Sequence, residues 1–69
     1  MTRKTTSLEK KVFLFLNDLR DSGITNMFGA RPYVMEAFTL DKREAGDLLM
    51  LWMKNFNSEA NYETIKADD

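Results

Sequence analysis

Gly23, followed by Ile24, interrupts a periodic apolar pattern and so limits what this chain can fold into. A glycine in the left-handed C′ position closes a helix, and a Schellman ending sets an apolar residue at C3 against another at C″. With Gly23 at C′, those two residues are Leu19 and Ile24. The helix before it must stop near Ser22, and the chain must then turn back. The start of that helix is also legible, because Thr6 and Glu9 form a T-x-x-E capping box. Between these signals, Leu8, Val12, Phe15, Leu16 and Leu19 recur at helical spacing on one face. Phe13 lies on the flank of that face and Leu14 nearly opposite.

Pro32 fixes the second helix. In a helix interior it would remove a hydrogen bond and clash one turn back, whereas in the first turn its fixed φ helps. The pattern predicts a helix over 31–38, with Tyr33, Val34, Ala37 and Phe38 toward the core. In the preceding loop, Thr25 or Asn26 can cap a helical turn. Met27 and Phe28 can fold back as a plug, and Gly29 and Ala30 allow a close neighbour. Asp41 and Glu44 form a second capping box, with Leu40 placed to staple against Ala45. Helix three then carries Ala45, Leu48, Leu49, Trp52 and Phe56 as a core stripe. Gly46, Met50 and Met53 form a second row, and Leu51 points elsewhere. After Phe56 the pattern stops, and only Ala60, Tyr62 and Ile65 are apolar among charges.

These signals predict an all-α, compact three-helix domain over residues 6–57, with a helix-turn-helix-like junction between helices two and three. Residues 1–5 read as a disordered N-terminus and 58–69 as a frayed acidic tail, and no strand is expected. A chain of 69 residues normally needs a staple, such as a disulfide, a metal or a partner subunit. Cys and His both number 0, which removes disulfides, thiolate nucleophiles and the usual zinc ligand sets. Helix packing or oligomerisation is left, and no cofactor or metal is expected. The longest apolar run, Val12 to Leu16, falls far short of the roughly 18 residues a membrane span needs. No signal-peptide pattern precedes it, so the expectation is a soluble, cytoplasmic protein without a membrane partner.

The net charge of −1 gives no global attraction to nucleic acid. The charge is uneven, however. Arg3, Lys4, Lys10, Lys11 and Arg20 outweigh Glu9 and Asp18 in residues 1–20, while Glu59, Glu63, Asp68 and Asp69 outweigh Lys66 in residues 57–69. Two solvated ends attracting each other weakly account for this more simply than a phosphate-binding arm.

Catalysis is not expected. A nucleophile would have to be a Ser, Thr or Lys working with a carboxylate. Asp18 and Asp21 read as a solvated face, and Asp41 and Glu44 as caps. DNA binding is the runner-up. The Phe38–Ala45 junction resembles the entry to a recognition helix, which would present Lys42 and Arg43. Glu44 and Asp47 offset those cations, and Met50 and Leu51 stand where polar base readers would be needed. Protein binding is the favoured reading. Phe13, Leu14, Met50, Leu51 and Met53 exceed what single core faces account for, and exposed apolar surface marks interfaces. Phe13 and Met53 can serve as core edges, whereas Leu14, Met50 and Leu51 are harder to bury in three helices. Leu14, Met50, Leu51 and Met53 are therefore the candidate contacts for a protein partner or a second copy. A separate loop site would reach out with Asn26, Arg31 and Tyr33.

The stretch Asp21-Ser22-Gly23-Ile24-Thr25-Asn26-Met27-Phe28-Gly29-Ala30, then Pro32-Tyr33, Glu44-Ala45 and Trp52-Met53, resembles a family of small uncharacterised proteins encoded by tailed bacteriophages. The likeness covers about residues 12–56. It implies a viral origin and the host cytoplasm as the setting, and no particular activity. A looser likeness is to ubiquitin-associated-type three-helix domains, whose loop carries a Met-Gly-aromatic order. Here the order is Met27-Phe28-Gly29.

Overall fold

The computed structural model describes residues 2–23 and 29–66. Among them are strand β1 (Thr2–Lys4), helices α1 (Ser7–Ser22), α2 (Arg31–Phe38) and α3 (Lys42–Lys54), and strand β2 (Thr64–Lys66). The helices form where the capping signals place them. Thr6 and Glu9 make both halves of their box: Thr6 Oγ1 accepts from the Glu9 N–H at 3.1 Å, and Glu9 Oε1 accepts from the Thr6 N–H at 2.9 Å. Gly23 takes φ 71° and donates to Arg20 O, the inner bond of a Schellman ending. Its predicted apolar partner Ile24 lies outside the described residues, as do Thr25, Asn26, Met27 and Phe28. Helix α2 also ends in Schellman form, but with Thr39 at φ 55° where glycine is usual. The Leu40 N–H closes that turn on Met35 O at 3.0 Å.

The core lies between the inner faces of α1 and α3, with Val34 of α2 closing it. Val12, Leu16, Leu19, Ala45, Leu49 and Trp52 are buried as their spacing requires, and Phe13, read as lying on the flank of α1, is fully buried with them. Four positions depart from the sequence reading. Tyr33, Ala37, Leu8 and Phe56, all assigned to core faces, are exposed. For Tyr33 and Ala37 the reason is the length of α2, whose eight residues bury a single turn's worth of side chains at Val34.

The larger correction concerns the fold class. The domain is mostly helical, not purely all-α, because its two ends pair as an antiparallel sheet. Thr2 faces Lys66, Arg3 faces Ile65 and Lys4 faces Thr64. The segments read as loose at 1–5 and 58–69 thus hold the two strands, and Tyr62 and Ile65 are buried in the core. The oppositely charged ends do meet, as Lys10 Nζ lies 2.9 Å from Glu63. Nearby, Thr5 donates to Glu63 O through its N–H and to Tyr62 O through its hydroxyl, the latter at 2.6 Å.

Charge attraction is not what holds the C-terminal segment. Asn17 is a buried polar residue among apolar neighbours, and both polar atoms of its side chain are hydrogen-bonded. Its Nδ2 donates to Asn57 O at 2.9 Å, and its Oδ1 accepts from Trp52 Nε1 at 2.8 Å and from the Tyr62 hydroxyl at 2.6 Å. The Tyr62 oxygen in turn accepts from the Asn57 N–H at 3.0 Å. One buried amide therefore ties α1, α3 and the returning segment together. Farther along, Asn55 acts as a short strand edge: its Oδ1 accepts from the Lys66 N–H at 2.7 Å. At the other end, Arg3 grips Glu9 with two bonds of 2.8 and 2.6 Å. That contact, helped by the Thr6 N–H, holds the Glu9 carboxyl below the usual carboxylate range, against the opposing effect of its partial burial.

Candidate interaction groove on the third helix

Helix α3 starts at Asp41, whose side chain accepts from the Glu44 N–H at 2.7 Å. This start fixes the phase of the helix. Ala45, Leu49 and Trp52 turn inward and Arg43 and Met50 turn out, while Gly46 and Met53 are half-buried between them and Met53 packs on the edge of the core. On the outer side lies a groove of about 750 Å³, lined by Arg31, Lys42, Arg43, Gly46, Asp47, Leu49, Met50 and Met53. Met50 is the most exposed large apolar side chain of the described residues, at 61%. Methionine suits such a position, since its flexible thioether adapts to partners of varied shape.

The groove brings together residues that the sequence assigns to three separate candidate sites. Met50 and Met53 come from the protein-binding set, Lys42 and Arg43 from the DNA-binding set, and Arg31 from the loop set. Arg31 reaches the groove from the start of α2, and its side chain lies beside Gly46. Three cations thus stand against Asp47 alone, a local charge of +2. Among the described residues none of the three is salt-bridged.

Other candidates lie elsewhere. Leu51 is half-buried and packs against the core. It is therefore not part of an exposed apolar surplus. Leu14 is 40% exposed on α1 and lines no part of the groove. The loop set divides. Tyr33 lines a different cleft of about 570 Å³ with Phe15, Pro32, Glu36 and Ala37, and Asn26 lies outside the described residues. Helical phase alone could have put Lys42, Arg43, Met50 and Met53 on one side of α3. Nothing local signals that Arg31 joins them, since that depends on how α2 crosses α3.

Among the described residues no group of three His, Cys, Asp or Glu side chains converges to hold a metal ion. No helix among them is long and apolar enough to cross a membrane. Fold and groove together define a small, mostly helical domain with a basic cleft floored by methionine. Comparison with protein-family models, curated proteins and solved structures gives no match for this chain.

Proposed function

We propose that this chain is a protein-interaction module whose α3 groove receives a segment offering apolar side chains and carboxylates. The observation that carries the reading is the exposure of Met50 at 61% within a concave, mainly apolar groove rimmed by three cations. The resemblance of residues 21–33 to small tailed-phage proteins supports a viral origin, with the host cytoplasm as the place of action. No chemistry is assigned to the groove.

The alternative is a DNA-binding regulator in which residues 38–45 act as a helix-turn-helix junction and α3 as the recognition helix. Arg31, Lys42 and Arg43 favour it, because all three could face phosphates. Met50 and Met53 disfavour it, because thioethers offer no hydrogen bond pattern to base edges. A photoreactive methionine analogue placed at Met50 separates the two in cell extract. Protein adducts that vanish in the competing presence of excess unlabelled chain, but not of excess Met50→Glu chain, are expected. Adducts to duplex DNA, with an affinity that falls steeply as salt rises, would establish the regulator instead.

A further inference from the structure

We infer that the occupant of the α3 groove is α1 of a second copy of this chain. The inference rests on reading the groove as a protein-binding surface and names the partner. Its starting point is Gly46. A glycine inside a helix is less favourable than alanine, so its presence needs a reason. The fold supplies none. An alanine methyl at Gly46 would sit 3.5 Å from Arg31 Cδ and 3.7 Å from its Nη1, ordinary van der Waals separations. The backbone there needs no positive φ either, since Gly23 alone among the described glycines has one. Gly46 is half-buried beside the Arg31 side chain and lines the groove, so once that flexible side chain swings aside the turn has no side chain of its own to hold another helix off.

The chain carries a complementary helix face. On α1, Lys11, Leu14, Asp18 and Asp21 are all exposed and recur at i, i+3, i+7 and i+10, one stripe of the helix. Its carboxylates are available: among the described residues Asp18 forms no salt bridge, and Asp21 has only a 3.7 Å contact with Arg20. Such an exposed pair contributes little. Arg20 is itself stacked over the Phe56 ring, 4.6 Å from its centroid.

Laid antiparallel, the two faces match in register. Asp18 and Asp21 stand four and seven residues beyond Leu14, and Gly46 and Arg43 stand four and seven residues before Met50. At about 1.5 Å per residue, both intervals are about 6 and 10.5 Å. Leu14 then meets Met50, Asp18 meets Gly46 where the Arg31 side chain lies, and Asp21 meets Arg43. Lys11 falls at Met53, where its methylene stem can cover the thioether. Asp47 falls opposite Asn17, which is turned into the core, so no carboxylate faces it. The match pairs apolar with apolar and acid with base along one line.

Because stripe and groove are different surfaces, the contact is head-to-tail, and each copy can give and receive one. Two helix faces make a small interface, below about 1,200 Å², in the range of transient association. Sedimentation velocity and small-angle scattering of the full chain should therefore show reversible growth with concentration up to roughly 1 mM. Three variants test the assignment, each first checked for a native helical spectrum and a cooperative melt. Gly46→Leu keeps the charge, favours the helix and blocks close approach, so it should remain monomeric. The doubles D18K/D21K and R31E/R43E should each be monomeric, since each sets like charges against each other. Mixed one to one at physiological salt they should regain association, because both contacts then join opposite charges.

A wild-type chain that stays monomeric across this range overturns the inference. So does Gly46→Leu associating like wild type, or a mixture of the doubles that stays monomeric. If the wild-type chain is monomeric while Met50 still crosslinks to a foreign protein, the groove remains a docking site and only its occupant is refuted. If Met50 yields neither self nor foreign adducts, the groove reading fails as well.

Discussion

Replacing Tyr62 by Phe removes one oxygen from the network that anchors the C-terminal segment, and its cost can be worked out atom by atom. The hydroxyl donates to Asn17 Oδ1 at 2.6 Å and accepts from the Asn57 N–H at 3.0 Å and from Trp52 Nε1 at 3.1 Å. Trp52 keeps its shorter bond to Asn17 Oδ1, at 2.8 Å, so it is not stranded. The Asn57 N–H has no second acceptor among the described residues. Losing one net hydrogen bond costs about 1 kcal/mol, and leaving a half-buried donor unpaired adds about 1 more, for a total of about 2 kcal/mol. A domain of 69 residues has about 3–10 kcal/mol of stability in all. The ring itself stays, and with it the packing on Phe13, whose ring centre lies 5.2 Å away. Urea unfolding followed by circular dichroism should show a lower midpoint at unchanged slope, and thermal melts should shift down by about 8–15 °C. A Tyr62→Phe chain within about 0.5 kcal/mol of wild type would refute the claim that this network holds residues 57–66 against the helices.

Two further outcomes follow from the same geometry. Glu9 has its folded pKa lowered, so its contribution to stability is present above the unfolded value of about 4.3 and is lost as pH falls through the lower folded value. Glutamine at position 9 can still cap Thr6. Glu9→Gln should therefore be less stable than wild type near neutrality and converge with it in acid, which urea midpoints across that range would reveal. A gap that stays constant or widens in acid would contradict the Arg3 contact. Thr39 holds φ 55° and ψ 50°, a conformation costing L residues about 1–2 kcal/mol. Thr39→Gly relieves that strain and offsets part of the gain through a freer unfolded chain, leaving about 0.5–1 kcal/mol of net stabilisation. A lower urea midpoint for this variant would show that α2 ends in some other way.

The helices were legible because their signals are local. Thr6, Gly23, Pro32 and Asp41 each act within four residues of themselves, so a linear reading finds them. The sheet was not legible for the opposite reason. Arg3 and Ile65 are 62 positions apart (65 − 3), and strands of three residues carry too little alternation to stand out from a charged tail. Tyr62 and Ile65 read as isolated apolar residues, although they complete the core around Phe13 and Trp52. Asn17 carried no signal of this, because its helical phase sets it nearly opposite the face defined by Leu8, Val12, Phe15, Leu16 and Leu19. The buried face of α1 is instead turned toward Phe13, which brings the Asn17 amide inside, where it must find partners.

The candidate site follows the same division between local and distant information. Helical phase assigns Met50, Met53 and Arg43 to one side of α3 once Asp41 sets its start. Whether Lys42 and Arg43 mark a nucleic-acid surface or the rim of a protein groove depends on what else the fold brings there. Arg31 arrives from α2 and raises the positive charge, which alone would favour phosphate. Yet Arg31 lies beside the half-buried Gly46, and the exposed residue at the middle of the helix is Met50. A reader of base edges needs donors and acceptors at that middle, whereas a docking helix needs a shallow turn and an adaptable apolar contact. Gly46 has no role in the folded monomer, which makes it the residue whose replacement distinguishes these uses most sharply. An added methyl should leave phosphate attraction to Arg31, Lys42 and Arg43 intact, stabilise the isolated helix and weaken only a partner that approaches the backbone.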